Sequence, residues 1–282
     1  MTVIFNASML KLFDLFRLRT LNRYVEPFAM LNTVMQGIIK RLGIVMVLGL
    51  LWQCLAVLIS SPDFPTFFAV LKSIHFHLTE GEMLANLAVT LKRVIISFSI
   101  SMVLGVFFGV VMGTHNLINR FTDSLLIIAL NVPALVTILL CYIWLGLAES
   151  AAITAVILNK VPTVIVMIRE GARVVDQDLL AVARVYKLSA SATFFKVFLP
   201  QLYPYMMAAA RSGLSLVWKI VLVVELLGRS DGVGFALNTQ FQFFDITGIL
   251  AYTLAFISII LLIEALIFRP MDKIIAKGGK GD

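Results

Sequence analysis

The sequence predicts an all-α protein that crosses a membrane several times. Of its 282 residues, 60% are hydrophobic and only 14% are charged, whereas a soluble domain carries about 25% charged residues. The mean hydropathy is +0.99, and several apolar stretches approach the roughly 20 residues that a helix needs to cross a bilayer. These observations exclude a disordered chain and argue against a water-soluble domain.

Six apolar stretches define the predicted spans. They lie at residues 42–60, 94–112, 124–147, 151–168, 205–227 and 246–268. The third stretch contains Pro133 and the fourth contains Pro162. Because proline lacks the backbone N–H that a helix interior needs, we expect a kink in each of these two helices.

The distribution of basic residues predicts the orientation of the spans. With the N-terminus in the cytoplasm, 16 of the 23 Lys and Arg residues fall in cytoplasmic segments, four in outer segments and three inside apolar spans. Cytoplasmic loops carry such an excess, so we expect six spans with both termini in the cytoplasm. The formal net charge of +7 is then mostly a topology signal, and nucleic acid is not an expected partner.

Three regions are predicted along the chain. Residues 1–41 form a cytoplasmic N-terminal segment, part of which is expected to lie as a helix on the membrane surface. Residues 42–268 form the transmembrane domain, and residues 269–282 form a cytoplasmic tail. The N-terminal segment lacks a compact apolar core followed by a small-residue cleavage site, so the first span is expected to be an uncleaved anchor.

Two outer connections carry local signals. Leu71, Ile74 and Leu78 recur at spacings of three and four, which predicts a short helix lying on the outer surface. The run Asp231-Gly232-Val233-Gly234 predicts a tight turn. A phosphate-binding loop is not predicted there, because no Gly-Lys-Ser/Thr follows.

The cytoplasmic interval at residues 169–200 predicts two short helices. Asp176 can cap the first, and Ser189 or Ser191 can cap the second. Such a pair is either a docking element for a cytoplasmic partner or an amphipathic element lying flat on the bilayer, and the pattern alone leaves both open. The apolar positions assigned to one face of the first helix are Leu179, Leu180 and Ala183.

This interval resembles the signature of permease subunits of binding-protein-dependent ABC importers. That signature is Glu-Ala-Ala, three residues, Gly, nine residues and Ile-x-Leu-Pro. Leu199-Pro200 and Ala183 match it with the right spacing, and Val197 takes the Ile position. Ala181 stands in place of the Glu and Lys187 in place of the Gly. Since the family uses that Gly at the turn between two short helices, Lys187 must form the turn in another way.

Further motifs resemble the nitrate, sulfonate, taurine and bicarbonate branch of this family. Their order and spacing carry the resemblance over about residues 60–270. In chain order they are Thr90-Leu91-Lys92-Arg93, Gly105, Gly109, Gly113, Pro133 ahead of Trp144-Leu145-Gly146, Gly171 with Asp176, the run 213–218, Glu225, and Gly232-Val233-Gly234.

The resemblance implies the type I ABC importer permease fold, with six transmembrane helices in the inner membrane of a bacterium. It also implies several partners: a second permease copy, expected to form a homodimer, cytoplasmic ATP-binding subunits and an extracytoplasmic substrate-binding protein. ATP and Mg²⁺ would be bound by the ATPase. This chain has no Gly-x-x-x-x-Gly-Lys-Ser/Thr, so it is expected neither to be an enzyme nor to bind a cofactor.

Docking to the ATPase is expected at residues 176–195. A Leu180→Glu substitution is then expected to uncouple ATPase binding. The residues assigned to docking are Asp176, Leu179, Leu180, Ala183, Arg184, Tyr186, Lys187 and Leu188.

Charged residues inside the spans are candidates for the transport pathway, because each costs about 2.5–3.5 kcal/mol to insert. Lys160 and Lys219, the latter beside Trp218, are expected to line the passage and to favour a small anion. Lys160 has an alternative role as a partner for backbone carbonyls freed at Pro162. Glu225, near the outer end of its helix, is expected to act as a gate or to hold the outer turn.

The predicted function is therefore that of a permease subunit of an ATP-driven importer, forming the pathway for a small solute such as nitrate, sulfonate, taurine or bicarbonate. The alternatives are an ABC permease for a different small organic solute and a secondary transporter, although the internal repeats typical of the latter are not apparent. No catalytic residues are predicted, because acidic and His residues do not cluster. No metal site is predicted either, since His75 and His77 lack a third ligand nearby.

Overall fold

A computed structural model describes residues 43–268 and Pro270. The predicted N-terminal segment and nearly all of the predicted tail lie outside these residues. The chain divides into two compact units, Met1–Ala69 and Val70–Asp282, and each is described by itself. In chain order the helices are α1 (Gly43–Ile59), α2 (Phe67–Thr79), α3 (Met83–Thr114), α4 (Asn116–Asn131), α5 (Ala134–Leu145), α6 (Glu149–Arg173), α7 (Gln177–Val185), α8 (Ala190–Thr193), α9 (Leu199–Gly228), α10 (Val233–Gln242) and α11 (Ile246–Ile263). A π-helical turn, Phe194–Phe198, joins α8 to α9, and a second, Glu264–Phe268, extends α11.

In the first unit, the chain that follows α1 folds back against it. The indole N–H of Trp52 donates a hydrogen bond to the carbonyl of Pro65 at 3.0 Å. The ring of Trp52 also meets that of Phe67 edge-on, with centroids 5.6 Å apart. The returning segment leads into α2, which contains the short outer helix predicted from Leu71, Ile74 and Leu78.

The described helices give four or five candidate membrane spans. Four are long and apolar enough by themselves: Met83–Thr114, Glu149–Arg173, Ala190–Gly228 and Ile246–Ile267. Helices α4 and α5 pass only as a pair, bent by 95° at the break between them, and give a fifth span if the pair counts as one. Helix α1 coincides with the first of the six predicted spans but is shorter than the others.

The two prolines predicted to kink helices behave differently. Val132, which precedes Pro133, has an extended conformation with ψ 124°, because the proline ring disfavours the helical region for the residue before it. The sharp bend between α4 and α5 follows, as predicted. Pro162 instead lies buried inside α6, which runs on without interruption to Arg173, so the helix does not end at this proline.

Helix α6 is the centre of the second unit and packs between α3 and α9. Half of its most apolar stretch is buried, the largest share among the candidate spans. Three α3–α6 contacts advance by four residues on both helices, so the two helices run in the same direction with closely approaching backbones. The facing pairs are Gly105–Val164, Gly109–Ile168 and Gly113–Ala172.

Candidate functional site

Arg93 is the centre of a buried ion cluster at one end of α3, α6 and α9. Its side chain is only 2% exposed and pairs with three carboxylates. The distances from its guanidinium are 2.7 Å to Glu149 and 2.9 Å to Glu225, and it also contacts Asp231. Arg229 adds a second cation, 3.2 Å from Glu149. We call Arg93, Glu149, Glu225, Arg229 and Asp231 the Arg93 cluster.

The same region holds the N-terminal end of α10. Three consecutive backbone N–H groups there donate to side chains of α3 and α9: Gly232 to Asn86 at 2.8 Å, Val233 to Thr90 at 2.8 Å and Gly234 to Glu225 at 2.9 Å. These groups would otherwise be unsatisfied at a helix start. Gly232 has φ +100°, a conformation open to glycine. The turn before α10 is thus fixed to two other helices.

Glu225 therefore has partners that the sequence did not indicate. It contacts Arg93 and Thr90 of α3, more than 130 positions earlier in the chain. Arg93 is one of the four Lys and Arg residues assigned above to outer segments, but it lies inside α3 and is buried, so it is not a loop residue. A carboxylate within an apolar span needs a cationic partner. The position of Glu225 in such a span was therefore the sequence signal that a partner exists elsewhere in the chain.

In the segment at residues 176–198, α7 is the first predicted short helix, whereas the second, Ala190–Thr193, is not separate and continues through the π-helical turn into α9. Asp176 caps α7, its carboxylate accepting from the N–H groups of Asp178 at 2.8 Å and Leu179 at 3.3 Å. Of the two serines proposed for the second cap, Ser189 accepts from the N–H of Ala192 at 3.2 Å. The capping signals in the sequence thus place both helix starts.

Lys187 forms the turn after α7 in the left-handed conformation, with φ 52°. Its N–H donates to the carbonyl of Arg184, and the N–H of Leu188 donates to that of Ala183, both at 3.0 Å. This pair of bonds is the Schellman motif, whose left-handed position is usually glycine. Lys187 therefore adopts the geometry that the missing glycine would give, at a cost in backbone strain.

The predicted docking residues lie on different sides of α7. Ala183 is buried and Leu180 packs on the apolar core around Ile168 and Leu202, whereas Leu179 and Tyr186 are exposed. The single face predicted for Leu179, Leu180 and Ala183 is therefore wrong for Leu179. The remaining members of the predicted set are exposed; they are Asp176, Arg184, Lys187 and Leu188.

A cavity of about 300 Å³ lies between α9 and α11. Lys219 and Trp218 line it, as do Arg211 and Glu264, whose side chains pair at 3.4 Å. The Trp218 ring packs edge-on against Phe256 with centroids 5.2 Å apart. Its walls are largely apolar side chains, and its charged groups are two cations and one anion.

Lys160 does not line this cavity. It is 0% exposed, and its Nζ has no hydrogen-bond partner among the described residues. The side chain crosses from α6 to α9, where a Cβ at Gly213 would lie 2.6 Å from Nζ. The structure thus separates the two lysines that the sequence grouped together.

Within the described part of the chain, no group of three or more His, Cys, Asp or Glu residues is arranged to hold a metal ion. The acidic residues of the Arg93 cluster are instead engaged by guanidinium groups. The site residues accordingly form an ion cluster, a helix pair and a partly charged cavity.

Residues 101–274 match the family model described as "Binding-protein-dependent transport system inner membrane component". The match covers α6, the 176–198 segment, α9 and α11, and so more than half of the chain. The chain belongs to this family. It is a multi-pass permease component of a binding-protein-dependent ABC transporter in the inner membrane, and not the ATPase, as the sequence predicted.

The permease is also similar to curated proteins of known name. It is 28% identical, over 73% of this chain and 76% of the relative, to a protein of Bacillus subtilis (strain 168) named as an aliphatic sulfonates transport permease. It is 30% identical, over 52% of this chain and 53% of the relative, to a nitrate import permease of Synechocystis sp. (strain ATCC 27184 / PCC 6803 / Kazusa). These likenesses agree with the predicted branch.

A solved structure supports the fold of the permease. The crystal structure of an amino acid ABC transporter with histidines aligns with a TM-score of 0.55 at 20% identity. The alignment covers 67% of this chain and 93% of that one. The shared feature is the helical fold of an ABC transporter chain.

Proposed function

We propose that this permease forms the translocation pathway for a small anion, such as nitrate, a sulfonate, taurine or bicarbonate. The observation that supports this most directly is the cavity between α9 and α11, which contains Lys219 and Arg211 but only one carboxylate, Glu264. An apolar cavity with a surplus cation favours anions, because its lining carries one more positive than negative charge. The sulfonate and nitrate names of the two relatives point to the same class of solute.

The proposed topology has six spans with both termini in the cytoplasm and follows the type I importer arrangement. Helix α1 is the first span, α3 the second and the bent pair α4–α5 the third, followed by α6, α9 and α11. The 176–198 segment then lies on the cytoplasmic side and the Arg93 cluster lies at the outer end. The excess of Lys and Arg in the segments assigned to the cytoplasm supports this orientation.

The family implies a separate ATPase and a binding protein, and we assign each to one end of the permease. The ATPase docks on the exposed face of the 176–198 segment, and the binding protein meets the end that carries the Arg93 cluster. A second copy of this chain completes the pathway as a homodimer. ATP and Mg²⁺ are bound by the ATPase, and this chain binds neither.

Uptake measurements test the proposed function. The permease is reconstituted in vesicles with its ATPase and binding protein, and ATP-driven uptake is measured for nitrate, taurine, an alkanesulfonate and bicarbonate. We expect uptake of at least one anion and a loss of about tenfold or more in Lys219→Met, because the surplus cation of the cavity is removed.

The matched control for this experiment is Lys92→Met, which removes an exposed lysine that does not line the cavity. It is expected to transport at the wild-type rate. Equal uptake by wild type and Lys219→Met would contradict the assigned pathway, and uptake of none of the anions would contradict the assigned solute class.

Docking of the ATPase is tested with Tyr186→Glu. Tyr186 is 76% exposed on the 176–198 segment, so the substitution should spare the fold while placing a desolvated charge in the interface. We expect the ATPase to be lost on co-purification, with Tyr186→Phe retaining it. Leu180→Glu is a poorer test than the sequence suggested, since Leu180 packs against this chain's own core. Stoichiometric ATPase on Tyr186→Glu would exclude docking at this face.

A further inference from the structure

Three buried polar groups between α3 and α6 have no hydrogen-bond partner among the described residues. They are Nζ of Lys160 and the hydroxyl oxygens of Ser97 and Ser101, and each residue is 0% exposed. A buried polar group without a partner is costly, and a buried ammonium more so. Such groups in a native structure call for an explanation, of which a bound ligand is one.

The packing of the helices brings these three residues to one junction. The α3–α6 contacts pair residues that differ by 59 in number, as in Gly105–Val164 and Gly109–Ile168. Extended by one turn, the same register puts Ser101 level with Lys160, and Ser97 lies one turn beyond. Lys160 itself reaches Gly213 of α9. The junction therefore lies where α3, α6 and α9 meet.

The two serines differ from four other hydroxyl residues in the described helices. Thr114, Thr122, Thr253 and Ser258 each donate to the carbonyl four residues earlier, at 2.7–2.8 Å. Ser97 and Ser101 make no such bond. Their hydroxyl hydrogens are therefore available to a ligand at the junction.

The carboxylates of the three helices do not neutralise Lys160. Helix α3 contains no Asp or Glu, while Glu149 of α6 and Glu225 of α9 are bound by Arg93. The remaining carboxylate of α6, Glu170, pairs with Arg169 at 3.0 Å. The junction thus offers three donors and one positive charge, with no acidic side chain of these helices assigned to it.

We propose that Lys160, Ser97 and Ser101 form an occluded site for a small monovalent anion, separate from the cavity lined by Lys219. An anion supplies the counter-charge and the acceptors that all three groups lack. The ligand has two candidate sources: the transported anion held inside the bundle, or a resident halide. The first source deepens the proposed function and rests on it, whereas the second does not.

Anion-dependent thermal stability tests the site without requiring transport. The full-length permease is placed in lipid nanodiscs, and its Tm is measured against increasing sodium nitrate or sodium bromide, with sodium gluconate keeping the ionic strength constant. A ligand that binds only the folded state raises Tm in a saturable way. We expect that rise in wild type, its loss in Lys160→Met, and a half-saturating concentration about tenfold higher in Ser101→Ala.

Lys72→Met, which removes an exposed lysine of α2, is the matched control and should keep the full rise. A rise with nitrate and bromide alike supports the site with a resident halide as occupant, and a rise with nitrate alone supports it with the cargo as occupant. The absence of a saturable rise in wild type, or an undiminished rise in Lys160→Met, overturns the proposal. If Lys160→Met does not fold, the Ser97→Ala/Ser101→Ala variant carries the same test. A permease that binds anions here yet transports none refutes the proposed function alone.

Discussion

Arg93 is the residue on which the charge balance of its cluster depends. It contacts three carboxylates, and one of them, Glu225, is 0% exposed. Removing one member of a buried ion pair is more costly than removing both, because the remaining charge loses water and partner together. The surrounding hydrogen bonds from Thr90 and Gly234 cannot replace a cation.

We predict that Arg93→Met lowers the free energy of unfolding by about 3–5 kcal/mol, since it leaves Glu225 as an uncompensated buried charge. Thermal or denaturant unfolding of the purified permease in one detergent measures the effect. The double variant Arg93→Met/Glu225→Gln is expected to recover part of the loss, and Lys92→Met is the neighbouring exposed control. A loss below about 1 kcal/mol in Arg93→Met would show that the cluster does not hold the fold.

Lys187 stores local strain at the turn of the 176–198 segment. Its φ of 52° lies in the left-handed region, where the Cβ of an L-residue is crowded by the following carbonyl. Glycine has no Cβ and so avoids this contact. It also gives the unfolded chain more conformational freedom, which offsets part of the gain in stability.

We predict that Lys187→Gly stabilises this turn by about 0.5–1 kcal/mol. Hydrogen exchange at the amides of Lys187 and Leu188, which donate the two turn bonds, should slow accordingly. Lys187→Ala removes the same charge but keeps the strain, so no slowing is expected in that control. Equal exchange in Lys187→Gly and Lys187→Ala would mean that strain at this residue is negligible.

At the scale of the elements, local signals predicted what local chemistry determines. Pro133 predicted the bend between α4 and α5, and Asp176 predicted the start of α7. Pro162 does not end α6, because the packing of that helix on both sides holds it together despite one missing hydrogen bond. The apolar character of α3, α6, α9 and α11 was likewise apparent from the sequence, although α3 begins at Met83, well before the predicted span at residues 94–112.

The arrangement of side chains between elements could not be predicted in the same way. Arg93 and Glu225 are separated by more than 130 residues, and no periodicity in one chain reports a contact at that distance. Lys160 and Lys219 look alike as isolated charges in apolar stretches, yet only the helix packing makes one buried and the other exposed. For the same reason the inward position of Leu180 was missed.

At the scale of the membrane unit, the close approach of α3 and α6 depends on the absence of side chains at the contact. A Cβ at Gly113 would lie 2.5 Å from that of Ala172 and 2.9 Å from the carbonyl oxygen of Arg169. Interiors packed at this density do not accept an added methyl group without moving a helix.

We predict that Gly113→Ala lowers the free energy of unfolding by about 1–3 kcal/mol through overpacking. The exchange variant Gly113→Ala/Ala172→Gly is expected to recover part of the loss, since the contact with the Arg169 carbonyl persists. Gly43→Ala serves as the control, because a Cβ there meets no atom within 4 Å. Unfolding curves that coincide for Gly113→Ala and wild type would refute the assigned packing.

Helix α6 links two features that stand far apart in the permease. Its first residue, Glu149, belongs to the Arg93 cluster, and its last, Arg173, stands three residues before the Asp176 cap of α7. At a rise of about 1.5 Å per residue the helix is roughly 37 Å long, and a helix does not shorten along its axis as a loop can. If the ATPase docks on the 176–198 segment as proposed, a displacement imposed there would reach Glu149 through a rigid helix at nearly full amplitude, and the ion cluster would have to move with the helix or break.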